Sequence, residues 1–351
     1  MFLLTMKNLE NDGHSITIVI RPKDVLEQLC INSGLKFYKL TSRPKRFGML
    51  GLGIALIQKT IEIDRIVKKV KPDILIGSDG VLAIVGKLHN IPAFECYEDD
   101  VDAIKLYANI FFPLYTRVIC PDCCSAGKWE NKKTGYKSYH ELGYLHPNQF
   151  TPDESKVSQY GINPHSTFFV IRFAKLTAHH DVGINGISDE IAGKIIELLK
   201  PHGRIIITSE RELIPDFEQY RIAINPLDMH HIMYYASMFI GDSQTMSAEA
   251  GVLGVPFVHF NDFVGRLSYI NELEQKYRIG FGHKTDDPEG MLKSIRVWLS
   301  EPDRKGICQK RRDLMLSEKI DYSKFLTWYI ENWPQSVEIM KKTPEYQLEF
   351  K

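Results

Sequence analysis

Sixteen residues constrain this chain more than any other stretch: Gly241-Asp242-Ser243-Gln244-Thr245-Met246-Ser247-Ala248-Glu249-Ala250-Gly251-Val252-Leu253-Gly254-Val255-Pro256. The apolar run Met238-Phe239-Ile240 before them reads as a buried strand. Val255 to Phe260, interrupted by His259, reads as another. Between the two the chain must run strand, turn, helix, strand. Gly241 permits the tight turn, and Ser243 is a good helix N-cap. A helix starting there aims unpaired backbone N–H groups at the mouth of the sheet, where they and the helix dipole favour a phosphate or diphosphate. Glu249 lies four residues beyond Thr245, on the same face and a turn further on. A carboxylate there can accept hydrogen bonds from two ribose hydroxyls. Ala248, Ala250, Gly251 and Gly254 are small enough to let the helix sit close to the sheet. The unit reads as a nucleotide cradle with Gly241, Ser243, Gln244, Thr245 and Glu249 as its contacts. The plainer alternative is an ordinary crossover with a serine cap and a solvated glutamate.

Bulk properties narrow the classes. A chain of 351 residues is long for one core, so two domains are expected. Lys+Arg and Asp+Glu both number 44, which removes any global electrostatic case for nucleic acid. Six cysteines do not make a disulfide framework in a chain this long, and no secretory signal is read ahead of them. A cytoplasmic setting is the expectation, with the inner face of the membrane as an extension of it. Cys120-Pro121-Asp122-Cys123-Cys124 holds one zinc-like pair, but no second pair of suitable spacing follows, so no metal is expected. The longest apolar run, Phe47 to Ile57, falls well short of the roughly 20 residues a membrane span needs. It follows Arg43, Lys45 and Arg46. A helix buried against the sheet is preferred, because glycines at 48, 51 and 53 make a poor free helix. A basic-apolar segment in peripheral contact with a membrane is the alternative.

The first half alternates strand and helix. Strands are read at Ile16–Ile20, Lys36–Leu40, Asp73–Gly77, Ile91–Cys96 and Val118–Cys120, with helices at Asp24–Ser33, Ile54–Lys71 and Asp79–His89. This is a parallel-sheet pattern. Asn131 to Ser155 shows no sustained period and reads as the passage between domains. A second series follows, with strands at Ser166–Arg172 and Gly203–Thr208, helices at Ser188–Leu199 and His230–Ala236, and then the opening motif. Pro288–Leu299, Asp303–Leu316 and Asp321–Trp333 read as helices.

Several segments together resemble a glycosyltransferase-like family of bacteria and archaea. They are Gly135-Tyr136-Lys137-Ser138-Tyr139-His140-Glu141-Leu142-Gly143-Tyr144-Leu145-His146-Pro147, Ile171-Arg172-Phe173, His179-His180-Asp181-Val182-Gly183, Thr208-Ser209-Glu210-Arg211, the Gly241–Pro256 block, and Phe263-Val264-Gly265-Arg266-Leu267-Ser268-Tyr269. The Gly241–Pro256 block itself resembles the donor-binding helix of GT-B glycosyltransferases. Relatives of that family include the peptidoglycan-precursor N-acetylglucosaminyltransferase and the nonhydrolysing UDP-N-acetylglucosamine 2-epimerases. The resemblance runs over nearly the whole chain. It implies an α/β, GT-B-like fold of two Rossmann-like domains facing a cleft: residues 1–150 for the acceptor, 151–320 for a nucleotide sugar, and a terminal helical segment, 321–351, packing back on the first domain. Family members usually open with a strand and a Gly- or His-bearing loop. Here Met1 to Glu10 reads as a helix capped by Asn11-Asp12-Gly13, so the first strand is expected to be missing. The implied activity is transfer of a sugar from a nucleotide sugar, UDP-linked by expectation, to a glycan or lipid-linked acceptor in cell-surface polysaccharide biosynthesis. A UDP-sugar 2-epimerase and a non-catalytic sugar-nucleotide or glycan-binding protein are the alternatives.

Ligands of open α/β sheets bind beyond the carboxyl ends of strands. Arg172 and Lys175 follow one strand, and their cations can meet phosphate oxygens or form ordinary surface pairs. His180, of His179-His180-Asp181, is a candidate for phosphate or sugar. Glu210 and Arg211 follow another strand and either close the pocket or are solvated. His230 opens the helix before the motif and either touches the ligand or packs. Glu98, Asp99 and Asp100 follow the strand ending at Cys96. One of them can serve as base for an acceptor hydroxyl, or all three form a solvated turn. No Asp-X-Asp motif compels a divalent ion, so helix N-terminus, Arg and Lys are expected to stabilise the diphosphate. No cofactor is expected, and no GxGxxG follows an early strand.

Overall fold

Parallel strands alternating with helices build two separate units of this chain. The computed structural model describes residues 1–22, 26–41, 48–174 and 186–351. An amino-terminal unit comprises Leu3–Tyr136 and Leu326–Gln347. A carboxyl-terminal unit comprises Met1–Phe2, Lys137–Phe325 and Leu348–Lys351.

In the amino-terminal unit the elements run α1 (Leu3–Asn11), β1 (Ile18–Ile20), α2 (Leu26–Asn32), β2 (Phe37–Lys39), α3 (Gly48–Val70), β3 (Leu75–Gly77), α4 (Gly80–His89), β4 (Ala93–Cys96), α5 (Lys105–Phe111), β5 (Arg117–Pro121) and β6 (Lys133–Tyr136). β1 and β2 pair in parallel, and β3-β4-β5-β6 form a second parallel sheet. The caps are local chemistry. Asp79 accepts the amide of Val81 at 3.1 Å to start α4, and Asn90, left-handed at φ 53°, ends it. The core of this sheet is Phe94, Val118 and Ile119, all fully buried. Phe94 packs on Tyr329 and Trp333 at ring distances of 5.9 and 4.7 Å, and the Tyr329 hydroxyl meets Thr134 at 3.0 Å.

The carboxyl-terminal unit runs α6 (Leu142–Leu145), α7 (Glu154–Ser158), β7 (Phe168–Phe173), α8 (Asp189–Leu199), β8 (Arg204–Ser209), α9 (Pro215–Glu218), α10 (Met229–Tyr235), β9 (Met238–Gly241), α11 (Gln244–Val252), β10 (Phe257–Phe260), α12 (Ser268–Asn271), β11 (Gly280–His283), α13 (Pro288–Ser300) and α14 (Arg304–Glu318). α15 (Tyr322–Glu331) and α16 (Gln335–Lys342) follow. The five strands are all parallel, in the order β8-β7-β9-β10-β11. Chain order reverses between β7 and β9. That is the topological switch point, the place where open α/β sheets take ligands.

Strands expected from the sequence form where expected, shifted by at most two residues at either end. Two others carry no apolar signal. β6 lies within the supposedly aperiodic Asn131–Ser155, pairing on one side with β5 from Val118↔Lys133 to Pro121↔Tyr136. Its inward residues are Thr134 and Tyr136, so a period of two survives over only four residues. β11 is Gly-Phe-Gly-His, and glycines are poor strand formers. Residues 137–150 group with the carboxyl-terminal unit. α3 also differs from expectation. It begins at Gly48 and, while burying Ile63 and Val67, leaves Ile54, Ile57 and Ile61 exposed at 54%, 62% and 45%. Arg43, Lys45, Arg46 and Phe47, the start of that basic-apolar segment, lie outside the described residues. Among the described residues, no helix is long and apolar enough to cross a membrane.

The glycines of β11 have a physical cause. A Cβ on Gly280 would lie 2.5 Å from the ring of Phe257 on β10. Gly280→Ala must displace that ring, at a cost of about 1–3 kcal/mol. The urea midpoint should fall accordingly; a variant that unfolds with the wild type would show that this packing gives way without cost.

Candidate nucleotide site

The strand ends at the switch point gather most of the expected residues. Arg172 of β7 stands in register with Gly241 of β9 and Thr208 of β8. A Cβ on Gly241 would sit 3.1 Å from both the Cβ and the carbonyl oxygen of Arg172, so a larger residue would wedge the two strand ends apart. Asp242 follows, buried, and binds backbone on both sides of 175–185. Oδ1 accepts the amide of Ala174 at 2.6 Å, and Oδ2 accepts that of Ile187 at 3.2 Å. Burial pushes its carboxyl above the ordinary range, against the pull of those amides and of Arg211. The Asn261 amide donates to the Asp242 carbonyl at 2.8 Å, tying the end of β10 to the end of β9.

Ser243 caps α11 as expected. Its backbone is extended (φ −86°, ψ 118°), and its hydroxyl accepts the amide of Met246 at 3.4 Å. The amides of Gln244 and Thr245 stand in the first turn, where a helix supplies no carbonyl partner. The small residues let α11 lie close: a Cβ on Gly251 would come within 2.9 Å of Leu273 and 3.1 Å of Phe257. Gly254 serves otherwise, turning the chain at φ +70°. The far end of α11 is held by α14. Arg312 Nε donates to the Val252 carbonyl at 2.7 Å, and Gln309 to those of Leu253 and Gly254 at 2.8 and 3.1 Å. A cation there complements the helix dipole.

Glu249 is not a solvated helix residue. It is 7% exposed, and its Oε1 accepts from the Tyr144 hydroxyl and from His230 Nε2, both at 2.9 Å. Burial opposes its charge, yet His230 and Tyr144 together hold its pKa below the ordinary value. His230 also lies against the Tyr144 ring, 5.4 Å between centroids. Neither Tyr144 nor Asp242 was singled out from the sequence. Asp242 had a signal, an acid directly after a strand-ending glycine. Tyr144 had none, because its partner lies 105 residues away.

The cations are already engaged. Arg172 pairs with Glu210. Arg211 lies 4.8 Å over the ring of Phe173, donates to the Ile187 carbonyl at 2.7 Å and faces Asp189 at 3.3 Å. Yet Arg172 Nε, Arg211 Nε and Thr208 Oγ1 are buried with no partner among the described residues. Orphaned polar atoms at the ends of β7 and β8 are what a polar ligand would satisfy. Lys175 and His180 lie outside the described residues.

Glu98, Asp99 and Asp100 belong to the amino-terminal unit. Asp100 Oδ1 accepts the Ser125 amide at 2.8 Å, and the Glu98 carbonyl accepts the Cys124 thiol at 2.8 Å, so this loop is strapped to the Cys-rich turn. Cys123 and Cys124 bring their sulfurs to 4.0 Å. Among the described residues, no group of three or more His, Cys, Asp or Glu is placed to hold a metal. Asp287, His283 and Ser294 form a relay-like chain, Oδ2 to Nδ1 at 2.9 Å and Nε2 to Oγ at 2.8 Å. Ser294 is buried in the middle of α13, where its amide serves the helix and cannot help an oxyanion. The chain fastens β11 to α13.

No protein-family model and no curated protein matches the sequence. Solved structures do. The chain is similar to the S. aureus MnaA–UDP co-structure at 11% identity, over 96% of this chain and 94% of that one, with a TM-score of 0.65. It is similar to the UDP-GlcNAc 2-epimerase from Neisseria meningitidis bound to UDP-GlcNAc at 12% identity, over 90% and 95%, with a TM-score of 0.61. The spinosyn forosaminyltransferase SpnP matches at 11% identity, over 96% and 95%, also with a TM-score of 0.61. The chain therefore has the α/β, GT-B-like fold common to these epimerases and glycosyltransferases.

Glu249 makes the site acid-sensitive in a definite direction. Its folded pKa is depressed below the ordinary 4.5, so its charged form contributes stability above that pH and loses it as the pH falls through the folded value. Urea midpoints followed from about pH 6 to about pH 3 should decline, and Glu249→Gln should flatten the decline. An equally steep variant would assign the acid sensitivity to other groups.

Proposed function

We propose that the carboxyl-terminal unit binds a nucleotide sugar, with UDP as the preferred nucleotide, and that the protein transfers the sugar to a glycan or lipid-linked acceptor held by the amino-terminal unit. One observation carries this reading. The capped N-terminus of α11 opens at the switch point of a parallel sheet, with a charged glutamate six residues after the cap. In this reading the diphosphate lies at Ser243 to Thr245 and the ribose at Glu249. Both bonds to Glu249 fall on Oε1. Ribose hydroxyls would then meet Oε2, with the carboxylate already oriented by Tyr144 and His230. As the sugar leaves, negative charge grows on the diphosphate. The α11 amides, Arg172 and Arg211 are the groups assigned to it. Glu210 would have to share Arg172 with the ligand. With those groups assigned to the diphosphate, the reaction is proposed to need no divalent metal. Two of the similar structures are complexes with UDP or UDP-GlcNAc, which supports the choice of nucleotide. One of them is an epimerase of the same fold, and that keeps 2-epimerisation as the second reading.

Calorimetry with UDP, GDP and ADP tests the site. UDP should bind best, and Glu249→Ala should weaken it by about 1–3 kcal/mol, the scale for hydrogen bonds to a charged group. Equal affinities in wild type and variant would remove the ribose assignment. Incubation with UDP-sugars separates the reactions. A transferase releases UDP faster when an acceptor glycan or lipid extract is added, with or without chelator. An epimerase changes the C2 configuration with no acceptor and no net UDP release. Saturable binding with neither reaction would leave only a sugar-nucleotide-binding protein.

A further inference from the structure

Three isoleucines of α3 stay in solvent although the helix already has a buried side. Ile63 and Val67 hold that inner side, each 4% exposed. At roughly 100° per residue, Ile54, Ile57 and Ile61 fall on the opposite side of the helix. Arg65 and Lys68, both exposed, continue the same line. The stripe from Ile54 to Lys68 thus occupies an arc of about 80° along about 21 Å of helix. A surface helix needs one apolar face to hold it on its sheet. α3 has two, on opposite sides. The outer one continues onto α4. Ile61 lines a groove with Thr60, Asp64, Lys68, Leu88 and His89, and Leu88 is 65% exposed.

The charge around this stripe has one sign. From Gly48 to Lys71 the chain carries Lys59, Arg65, Lys68, Lys69 and Lys71 against only Glu62 and Asp64, in a protein whose net charge is zero. Both acids are engaged. Glu62 accepts the Thr41 amide at 2.9 Å, and Asp64 takes His89 and Lys68, each at 2.7 Å. α4 itself adds exposed Lys87 and no acid. Lys59 meets Asp79, the cap of α4 just after β3, at 2.7 Å, while His89 stands at the far end of α4. The two helices therefore descend one side of the sheet together, and Ile54 and Ile57 lie toward its carboxyl edge.

We propose that the outer face of α3, with Leu88 of α4, docks the protein on an anionic lipid surface. The isoleucines and Leu88 enter the boundary between headgroups and acyl chains, and Arg65, Lys68 and Lys87 reach the lipid phosphates. Their long stems allow the charged heads to stay in the headgroup layer while the apolar side chains sink below it. Charge selects this occupant over a second copy of the chain. A two-fold contact would set Arg65 and its basic neighbours against the same face of the other copy, like charge on like. Anionic lipid answers both the apolar stripe and the cations beside it. None of these groups has a part in the proposed sugar transfer, so docking is measured with neither donor nor acceptor present.

The full chain is sedimented with vesicles of phosphatidylcholine alone and of phosphatidylcholine mixed with phosphatidylglycerol. It should pellet with the mixed vesicles and remain in solution with the neutral ones. Raising the salt from about 0.1 M to about 1 M should release most of it. Ile57→Gln should weaken binding to the mixed vesicles about tenfold, through lost apolar burial. Arg65→Glu should weaken it about tenfold, through a charge reversed beside phosphate. Both positions are exposed, so the variants should unfold at the urea midpoint of the wild type. Binding to neither kind of vesicle, equal binding to both, or undiminished binding by either variant overturns the proposal. So does a dimer in sedimentation equilibrium that Ile57→Gln dissolves, since a second copy then covers the face.

Discussion

The buried carboxyl of Asp242 lies where β7 and β9 run side by side, and the site's geometry hangs from it. Its two oxygens take amides from Ala174 and Ile187. Its own carbonyl takes Asn261 from β10. One side chain thus collects backbone from β7, from the approach to α8 and from β9, and its neighbour Ser243 starts α11. Gly186 has to be glycine here, because a Cβ would lie 2.5 Å from Asp242 Oδ2. Such an acid costs free energy to bury, as its raised pKa records. It persists because the strand ends cannot all meet at a switch point without a shared acceptor for their unpaired amides.

With the strand ends collected, α11 can be aimed. A helix works as an anion cradle only if its first turn stays put, and its remaining freedom is sliding along or rolling on the sheet. Gly251 removes the clearance that would permit rolling, since Leu273 and Phe257 fill the space of its missing Cβ. Gln309 and Arg312 occupy the last carbonyls and oppose sliding. On the proposed reading this is preorganisation, with the α11 amides in place before a diphosphate arrives.

How much of this was legible in the sequence follows from the range of each interaction. Ser243 as a cap and Gly241 as a turn are decisions made within four residues, and the motif states them directly. The strand series was readable because buried parallel strands are short apolar runs. β6 and β11 were not, because Thr134, Gly280 and Gly282 answer to partners rather than to local pattern. Glu249 could be placed on α11 from its spacing, but not on Tyr144 and His230. The Tyr144 contact depends on residues 137–150 joining the carboxyl-terminal unit, and no period in that stretch announces it. Glu95 shows the converse. A glutamate inside Ala-Phe-Glu-Cys breaks an apolar strand, and that local conflict is legible in the sequence.

Three of the buried carboxyl groups, Glu249, Asp242 and Glu95, argue together that environment, more than residue type, sets the charge state. All three suffer the same desolvation. Glu249 has a histidine and a phenol on one oxygen, and its pKa stays below the ordinary value. Asp242 has only backbone amides and a more distant arginine; its pKa rises, yet it still serves as an acceptor of fixed bonds. Glu95 has phenols beside it and an acid nearby, and is held as a neutral acid at neutral pH. Environment thus pushes the pKa values of like groups apart, leaving one carboxyl charged and another neutral at the same pH. Burial raises Asp242 and Glu95 against the pull of loop amides and of phenols, whereas His230 and Tyr144 overcome it at Glu249. Each kind of partner sets what its acid can do.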